Sequence, residues 1–499
     1  MKIVVNNIYS QITECNNPEI IKLLDYNLSY YVQGYAFTAA YKTGWWNDKK
    51  KKWERWDGKS HLLDDKLRFQ TGLLNKVKSI IATKNIKLEI IDKRKIPKYG
   101  KKLKTKNLEE RPYQKRVLDA ALKNNDGLIK VATGGGKSVI INNLISETNV
   151  KTMVYVIGID LLYQMYETFK KMLGTEVGII GDGKADIKRI NVCTVWTAAN
   201  ALGNEYVPFD DEERSKKETF NASDKDKIVK AIVASEMTIY DECQMLAAKT
   251  LQIINNASGN AYYKYGFSGT PFRDDGADLL LEAVCGKIIA EVSPTELIKG
   301  NYLVKPTIHF VEIPEYKGTI SPQYQSIYKS YIVENDVRNN KITQIAEKLI
   351  KNNRKVLILV KNIKHGELLY DKLQKQYVVY FVKGDVDSDE RNKIRQNFIK
   401  GKIELIIATA IYDQGVDIPN IDALILAGSG KSSGRALQRI GRVIRTAPNK
   451  KDAIVIDFLD NAKYVLEHSK KRMDVYKKES GFEVKLPKNQ EKEKKEESW

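Results

Sequence analysis

The sequence predicts an α/β protein: two parallel α/β domains in tandem, preceded by a small α+β N-terminal domain. Three observations predict it. From about residue 108, short apolar runs bounded by polar turns alternate with amphipathic segments of helical period, the pattern of a parallel sheet with helices on both faces. That alternation occurs twice, over about 107–300 and again over about 301–476, so two such units are expected. The first 106 residues mix apolar strands, clustered aromatics and one helical stretch without that order. A length of 499 residues suits about three domains. The charged low-complexity end, 477–499, is expected to be disordered.

Composition sets the outer bounds. A hydrophobic content of 42% is enough for real cores, and the apolar runs are too short and interrupted for a membrane span. The start, MKIVVNNIYS, has neither the apolar region nor the cleavage site of a signal peptide. Cys15, Cys193, Cys243 and Cys285 are scattered with no C-x-x-C pair. That excludes a zinc knuckle or a disulfide framework and fits a reducing, cytoplasmic compartment. The net charge is +20, from 83 Lys and Arg against 63 Asp and Glu. Such an excess points either to a polyanionic partner, most often nucleic acid, or to a protein that is simply basic and soluble.

In the N-terminal part, a core is expected from MKIVV, from Tyr30, Tyr31, Val32, Tyr35 and Phe37, and from the segment IKLEIID. Leu73, Leu74, Val77, Ile80 and Ile81 recur at helical spacing and predict a helix over Leu73 to Thr83. Between them lies GWWNDKKKKWERWDGKS, where Trp45, Trp46, Trp53 and Trp56 flank a lysine run that includes Lys49 and Lys50. Asn47-Asp48 reads as a hairpin tip and Asp57-Gly58 as a second turn. Two readings of the tryptophans stand side by side. They are core under a solvated loop, or they stack on exposed bases beside a basic hairpin. Residues 92–107, DKRKIPKYGKKLKTKN, read as a basic linker that could also track a phosphate backbone.

The first α/β unit opens with Arg111-Pro112-Tyr113-Gln114 and a helix over Lys115 to Lys123, which Pro112 suits as a start. A Gln114 amide held there offers both a donor and an acceptor to an adenine edge. The stretch IKVATGGGKS then reads as a strand followed by a phosphate-binding loop. Gly134, Gly135 and Gly136 allow a tight turn that aims N–H groups at phosphate oxygens. Lys137 would reach the terminal phosphates of ATP, and the Ser138 hydroxyl would hold Mg²⁺. The position six before Lys137 is Val131, where this pattern usually has glycine. Strands and helices alternate onward, and the polar stretch 203–230 is expected to be a surface insertion. The short apolar strand Met237 to Tyr240 ends in Asp241-Glu242-Cys243-Gln244. Carboxylates there sit at the end of a parallel strand, where such sheets bind ligands. Asp241 would hold Mg²⁺ with Glu242, and Glu242 would orient and deprotonate the attacking water; the bland alternative is an exposed turn. A strand ending in Ser268-Gly269-Thr270-Pro271 follows.

The second α/β unit has the strands KVLILV, YVVYFV, ELIIATA, ALILAG and DAIVIDFLD, but no phosphate-binding loop of its own. It therefore reads as a partner to the first unit. One of its helices carries Gln438-Arg439-Ile440-Gly441-Arg442-Val443-Ile444-Arg445.

Taken in order, these pieces resemble the superfamily 2 helicases and translocases over about residues 109–460. The resemblance implies RecA-like folding of both α/β units and ATP bound between them. It makes Arg111 to Gln114 the adenine-reading motif, and Thr133 to Ser138 the phosphate loop with Thr133 as a nucleotide contact. Gly158 to Gln164 matches the next motif, and Thr197 and Thr409 match strand-contacting positions. Asp241 to Gln244 is the motif with the catalytic Glu242, and Gln244 stands where His is common. Gln244, Ser268 and Thr270 would couple hydrolysis to movement. Gly415 and Asp417, in Thr409 to Pro419, would touch nucleotide. Gln438 would touch the γ-phosphate or its water, and Arg442 and Arg445 would act as arginine fingers. A narrower resemblance, to phage branch-migration helicases of the UvsW type, rests on the aromatic-basic hairpin and on SGTPFRDDG and DQGVDIPN. Arg273-Asp274-Asp275 resembles the Arg-Glu-Asp loop of the related XPB helicases, which makes Arg273 a nucleic-acid contact. This implies branched DNA as substrate, with RNA–DNA hybrids as a further form, a functional monomer, recombination or single-strand-binding partners, and the host cytoplasm if phage-encoded. Three other readings remain: an RNA helicase, a duplex translocase that never separates strands, and an ATP-regulated annealing or scaffolding protein.

Overall fold

The computed structural model describes residues 1–48, 51–106, 110–204, 221–246, 248–270, 278–314, 323–383, 388–409, 421–430, 432–448 and 450–487. The chain divides into two compact units, Met1–Val131 with Gly136–Glu291, and Ala132–Gly135 with Val292–Trp499.

The first unit begins with strands β1 (Lys2–Val5), β2 (Tyr9–Glu14), β3 (Ser29–Tyr31), β4 (Trp45–Asn47), β5 (Lys52–Glu54), β6 (Lys59–His61), β7 (Arg68–Gln70) and β8 (Glu89–Asp92). The main N-terminal sheet has the order β7-β2-β1-β8, with β8 parallel to β1. Helices α1 (Pro18–Asn27), α2 (Ala39–Lys42) and α3 (Leu74–Ala82) accompany it. Alternation in KIVV turns Ile3 and Val5 inward, where they meet Ile12, Leu24, Phe69 and Val77. The expected aromatic core is corrected here: Tyr31 is 54% and Phe37 84% exposed. The reason is local: side chains alternate along β3, so Tyr30 packs against the N-terminal core while Tyr31 faces out, and Phe37 lies in the short helical turn Tyr35–Phe37, which buries none of its residues.

The turn before β6 carries a titratable cluster. The His61 ring lies between Asp25 (2.8 Å) and Asp57 (3.0 Å). Partial burial pulls its pKa down, but the hydrogen bonds and charges of the two carboxylates outweigh burial and raise it above the usual histidine value. A raised folded pKa means stabilisation that is complete below pH ~6.5 and fades as pH rises through the folded value. An NMR titration of His61 is expected to give a midpoint above ~6.5, falling below ~6.5 in Asp25→Asn with Asp57→Asn, where burial acts alone. An unshifted midpoint in the parent would show that the two carboxylates do not hold the ring.

The parallel sheet of this unit comprises β9 (Asp126–Val131), β10 (Thr152–Val156), β11 (Gly178–Gly181), β12 (Lys184–Asp186), β13 (Ile190–Thr194), β14 (Met237–Asp241), β15 (Tyr263–Ser268) and β16 (Ile288–Val292). Its order is β12-β11-β13-β10-β14-β15-β9-β16, and β9, β15, β14, β10, β13 and β11 are mutually parallel. The carboxyl ends of β9, β13, β14 and β15 therefore open on one edge. Helices α4 (Pro112–Lys123), α5 (Lys137–Thr148), α6 (Ile159–Met172), α7 (Val195–Ala201), α8 (Ala222–Ala234), α9 (Ala248–Ala257) and α10 (Asp278–Cys285) connect or cover the strands. Part of the expected insertion 203–230 is corrected: α8 buries Ile228 and Ile232 in the core with Leu251, Ile254 and Tyr240. Its four-residue apolar spacing, short and framed by charge, is masked in the sequence by the polar stretch before it.

The N-terminal layer is joined firmly to this sheet. Leu280 and Ala283 of α10 belong to the same buried cluster as Ile3, Phe69 and Leu73. The buried Lys264 ammonium on β15 donates to the Asn7 carbonyl at 2.6 Å. The expected linker 92–107 is likewise corrected over its described part. It is a strap whose Gly100 and Leu103 amides donate to the Thr148 and Ser146 carbonyls at the end of α5. The Lys106 amide donates to the Met172 carbonyl at the end of α6. Helix carboxyl ends leave carbonyls without intrahelical partners, and the strap supplies their donors.

The second unit contains β17 (Pro306–Ile313), β18 (Val356–Leu359), β19 (Val379–Val382), β20 (Leu405–Ala408), β21 (Ala423–Ile425), β22 (Ala453–Asp460) and β23 (Glu483–Lys485). They form one sheet, β19-β20-β18-β21-β22-β17-β23, with all pairings parallel. Helices α11 (Pro294–Lys299), α12 (Tyr324–Tyr328), α13 (Asp336–Lys351), α14 (Ile363–Leu373), α15 (Ser388–Ile399), α16 (Ser433–Val443) and α17 (Val465–Lys478) accompany it. The tail expected to be disordered from 477 is corrected in its first part: α17 continues to Lys478 and β23 pairs with β17. The charged composition does not end the ordered chain at 477, because β17 would otherwise present an unpaired edge and β23 covers it.

Candidate active site

The site is built on the edge where β9 and β14 end. Val131, the departure from the glycine pattern, is the last residue of β9 and fully buried, so an apolar side chain is what the strand requires. The chain then turns through Thr133, Gly134 and Gly135 to Gly136, with φ of +88° at Gly134 and +73° at Gly136. Both lie in the left-handed region that glycine adopts without strain. Gly136 has a second reason to be glycine: a Cβ there would come within 2.5 Å of Gln114 Nε2. Helix α5 starts at Lys137, with Ser138 in its first turn, so the positive end of twelve aligned peptide dipoles faces this turn.

Lys137 points across to β14. Its ammonium makes an ion pair with Glu242 and lies 3.7 Å from Asp241. Burial alone would lower the Lys137 pKa, but the two carboxylates more than compensate and raise it. Burial also raises Asp241, against the opposing pull of Lys137. Glu242 sits at φ 47° and ψ 45°, a left-handed conformation that costs a non-glycine residue of order 1 kcal/mol or more. Such strain persists where surrounding contacts fix it. Here the Gln244 amide donates to Glu242 Oε2 at 2.8 Å while Lys137 holds the other oxygen. Gln244, expected to face Ser268 and Thr270, thus has a bond to the neighbouring carboxylate. Ser268 is fully buried and its hydroxyl accepts the Thr270 amide at 2.9 Å.

These residues suit Mg²⁺ and a nucleotide. Asp241 Oδ1 is buried, makes no hydrogen bond among the described residues and faces the Lys137 ammonium at 3.7 Å, so it is an oxygen already set toward positive charge and suited to a metal cation. The Ser138 hydroxyl at the helix start is the hard oxygen donor expected beside it. Arg111 and Gln114 open α4, where Gln114 Oε1 accepts the Arg111 amide at 2.9 Å and closes the first turn. Gln114 is thereby fixed beside Gly136.

Other expected site residues fall elsewhere. Thr197, expected as a strand contact, is fully buried: its hydroxyl accepts from Thr194 at 2.7 Å, and its amide donates to Oγ1 of Thr194, the residue that caps α7. Thr409 is also buried, just past β20, and its hydroxyl has no hydrogen-bond partner among the described residues. In the second unit, Gln438 and Arg442 lie one turn apart on α16, whose opposite face buries Ala436, Ile440 and Val443. Arg445 follows the helix end, where its backbone bridges to Leu303. Gly415, Asp417, Arg273, Lys49 and Lys50 lie outside the described residues.

The hairpin β4–β5 pairs Trp46 with Trp53, and their rings meet edge-on at 6.3 Å. Trp45, Trp46 and Trp53 are 44%, 47% and 68% exposed, which decides against the core reading for all three. Trp56 is half-buried and its indole donates to the Lys59 carbonyl at 2.7 Å. The sequence reading missed the neighbouring exposed rings of Tyr26, Tyr31 and Phe37. Lys59 lies over both Tyr26 and Tyr31, at 4.5 and 5.1 Å. No local sequence signal separates an exposed tyrosine from a buried one here.

Comparison with known proteins bears on this arrangement. Residues 107–273 match the family "Type III restriction enzyme, res subunit", and residues 340–447 match "Helicase conserved C-terminal domain". The chain is a superfamily 2 helicase. As such a helicase it is a nucleic-acid-dependent ATPase, and its two parallel sheets are the RecA-like domains in tandem. The helicase is similar to the ATP-dependent DNA helicase uvsW of Enterobacteria phage T4, 25% identical over 479 residues, 90% of this chain and 88% of that one. It is also similar to the DNA 3'-5' translocase XPB2 of Sulfurisphaera tokodaii, 25% identical over 443 residues, 79% of this chain and 91% of that one. A structure of Saccharomyces cerevisiae Dbp5 bound to RNA and ADP BeF3 covers 84% of the helicase and 95% of its own chain, with TM-score 0.50 and 14% identity. It is a likeness of fold. The helicase is thus an ATP-dependent nucleic-acid translocase of the UvsW/XPB type. No helix among its described residues is long and apolar enough to cross a membrane.

Proposed function

We propose that this helicase acts on branched DNA, driving fork regression or the migration of Holliday junctions, D-loops or R-loops in recombination, repair and replication. The observation that carries this reading is the hairpin with Trp45, Trp46 and Trp53 exposed on a basic N-terminal layer. Flat rings held on a hairpin suit unpaired or splayed bases, which a branch point offers and a linear duplex does not. The similarity to a helicase named for DNA supports DNA over RNA.

The same reading assigns the hydrolytic roles. When bound, Mg²⁺ neutralises charge on the terminal phosphates. Asp241 and Ser138 would hold it, with Glu242 close by. Lys137 would leave its carboxylates to meet those phosphates as a point charge, and Gly134 to Ser138 would present backbone donors to them. Glu242, aimed by Gln244, would take the proton of the attacking water. Arg111, Gln114 and Thr133 would contact the nucleotide, while Gln438, Arg442 and Arg445 would stabilise charge during transfer. A monomer in the cytoplasm, working with recombination or single-strand-binding partners, fits this role.

The test is ATP turnover with single-stranded DNA, linear duplex, four-way junction, R-loop and single-stranded RNA at fixed salt. Branched species are expected to stimulate most. Replacing Trp45, Trp46 and Trp53 with alanine is expected to remove that excess, with each lost stacked base weakening junction binding by about 1–3 kcal/mol. Point changes are cleaner than deleting residues 1–106, because α10 shares a core with the N-terminal sheet. Stimulation by RNA alone would replace the proposal with an RNA helicase. Stimulation by linear duplex without strand separation would replace it with a duplex translocase.

A further inference from the structure

We propose that the strap over residues 93–106 is a second nucleic-acid surface that takes the phosphate backbone of a duplex, on the edge of the first sheet away from Lys137. It rests on the reading above that the helicase acts on DNA. Between Lys93 and Lys106 the chain carries eight cations and no carboxylate. Arg94 is engaged by Asp92 at 2.6 Å, and Lys102 is paired with Glu147. Lys93, Lys95, Lys98, Lys101, Lys104 and Lys106 are exposed and have no ion pair among the described residues.

Their backbone is fixed. Besides the amides bonded to the ends of α5 and α6, the Lys104 carbonyl accepts the Gly174 amide at 3.2 Å. The Lys101 carbonyl accepts the Asn149 side chain at 2.8 Å, and the Leu103 carbonyl accepts the Ser146 hydroxyl at 2.9 Å. A charged segment already laid down on the surface pays little ordering cost when a polyanion binds.

A duller account is that these lysines serve the negative helix ends. That effect acts only within the last turn and is worth about 0.3–1 kcal/mol per well-placed cation. Two helix ends do not require six unpaired lysines. Their crowding is costly by itself, because like charges along one strap repel, and a polyanion relieves it. The partner is taken as a duplex because duplex DNA carries about one charge per 1.7 Å of axis and needs no stacking rings to be held. The strap is lysine-rich, whereas the aromatics lie on the hairpin.

The position separates this surface from the chemistry. Helix α5 starts at Lys137 and ends at Thr148, so the strap lies about 18 Å along the helix from the phosphate loop. The Debye length is about 8 Å at physiological salt, so strap charge does not reach the ATP site. Neutralising the strap is therefore expected to leave turnover without nucleic acid unchanged.

The experiment measures binding of a linear DNA duplex and of single-stranded DNA by full-length protein, by anisotropy from about 50 to about 200 mM salt. The variant changes all six unpaired lysines to glutamine, and a second changes only Lys101 and Lys104. For the duplex, the slope of log K against log salt is expected to fall by about 3–5 in the six-fold variant and by about 2 in the double variant. Thermal midpoint and turnover without nucleic acid should match the parent. An unchanged slope in both variants, with the parent binding duplex, overturns this surface alone. A slope that falls as much for single strands overturns the duplex assignment. Failure of the parent to bind any DNA overturns the surface together with the reading it rests on.

Discussion

Glu242→Gln is expected to lower ATP turnover by at least about 10²-fold while ATP and DNA still bind, a loss of about 2.7 kcal/mol or more in transition-state stabilisation. The substitution keeps the shape that the left-handed backbone and the Gln244 bond impose. It removes the negative charge that takes a proton from water. It also removes one of the two carboxylates that raise Lys137, while Asp241 at 3.7 Å remains to keep that ammonium charged. Phosphate contacts through Lys137 and the glycine loop should therefore survive. Steady-state turnover and a nucleotide titration on the same preparation separate the two effects. Turnover within about threefold of the parent would remove Glu242 from the role of base. Loss of nucleotide binding alongside turnover would make the Lys137–Glu242 pair an architectural contact.

Much of this site was legible because its chemistry is local. The β9–loop–α5 segment carries its period, its glycines and its Lys-Ser ending within ten residues, and Asp241-Glu242 closes a five-residue buried strand. The strap could not be read from sequence, because its donors meet carbonyls at Ser146, Thr148 and Met172, far along the chain. The polar run before α8 hid a helix whose two inward isoleucines matter only against Leu251 and Ile254. Tyr31 and Phe37 look like core residues by type, yet Tyr31 lies on the outward face of β3, opposite to Tyr30, and Phe37 lies in the exposed turn after it. Thr197, a motif position expected to contact the strand, is buried in the first turn of α7, where its amide donates to the capping Thr194 hydroxyl. Local chemistry survived translation into structure, whereas burial depended on which element lay opposite.

In the second unit, Arg338→Met is expected to destabilise by about 3–5 kcal/mol. Arg338 is fully buried near the start of α13, and its guanidinium donates to both oxygens of Asp460 at the end of β22, at 2.7 and 3.2 Å. A further donor reaches the Ala427 carbonyl at 2.8 Å, and the guanidinium lies 4.6 Å from the Phe458 ring centre. Three donors on one planar group thus tie α13 to the sheet. The charge is felt next door, where burial first and Arg338 second depress His365 to about 3, leaving it neutral throughout the physiological range. Removing Arg338 strands Asp460 as an unpaired anion, which is why one partner costs more than the pair contributes. Asp460→Leu should therefore be similarly harmful alone, yet the double variant should be less destabilised than either single. For a unit of this size each kcal/mol moves the melting midpoint by roughly 2–4 °C, so the single variants should fall by roughly 6–20 °C. Thermal unfolding of the four proteins closes the cycle. Additive losses would mean that the two residues stabilise the fold independently and that the ion pair is not what joins α13 to β22.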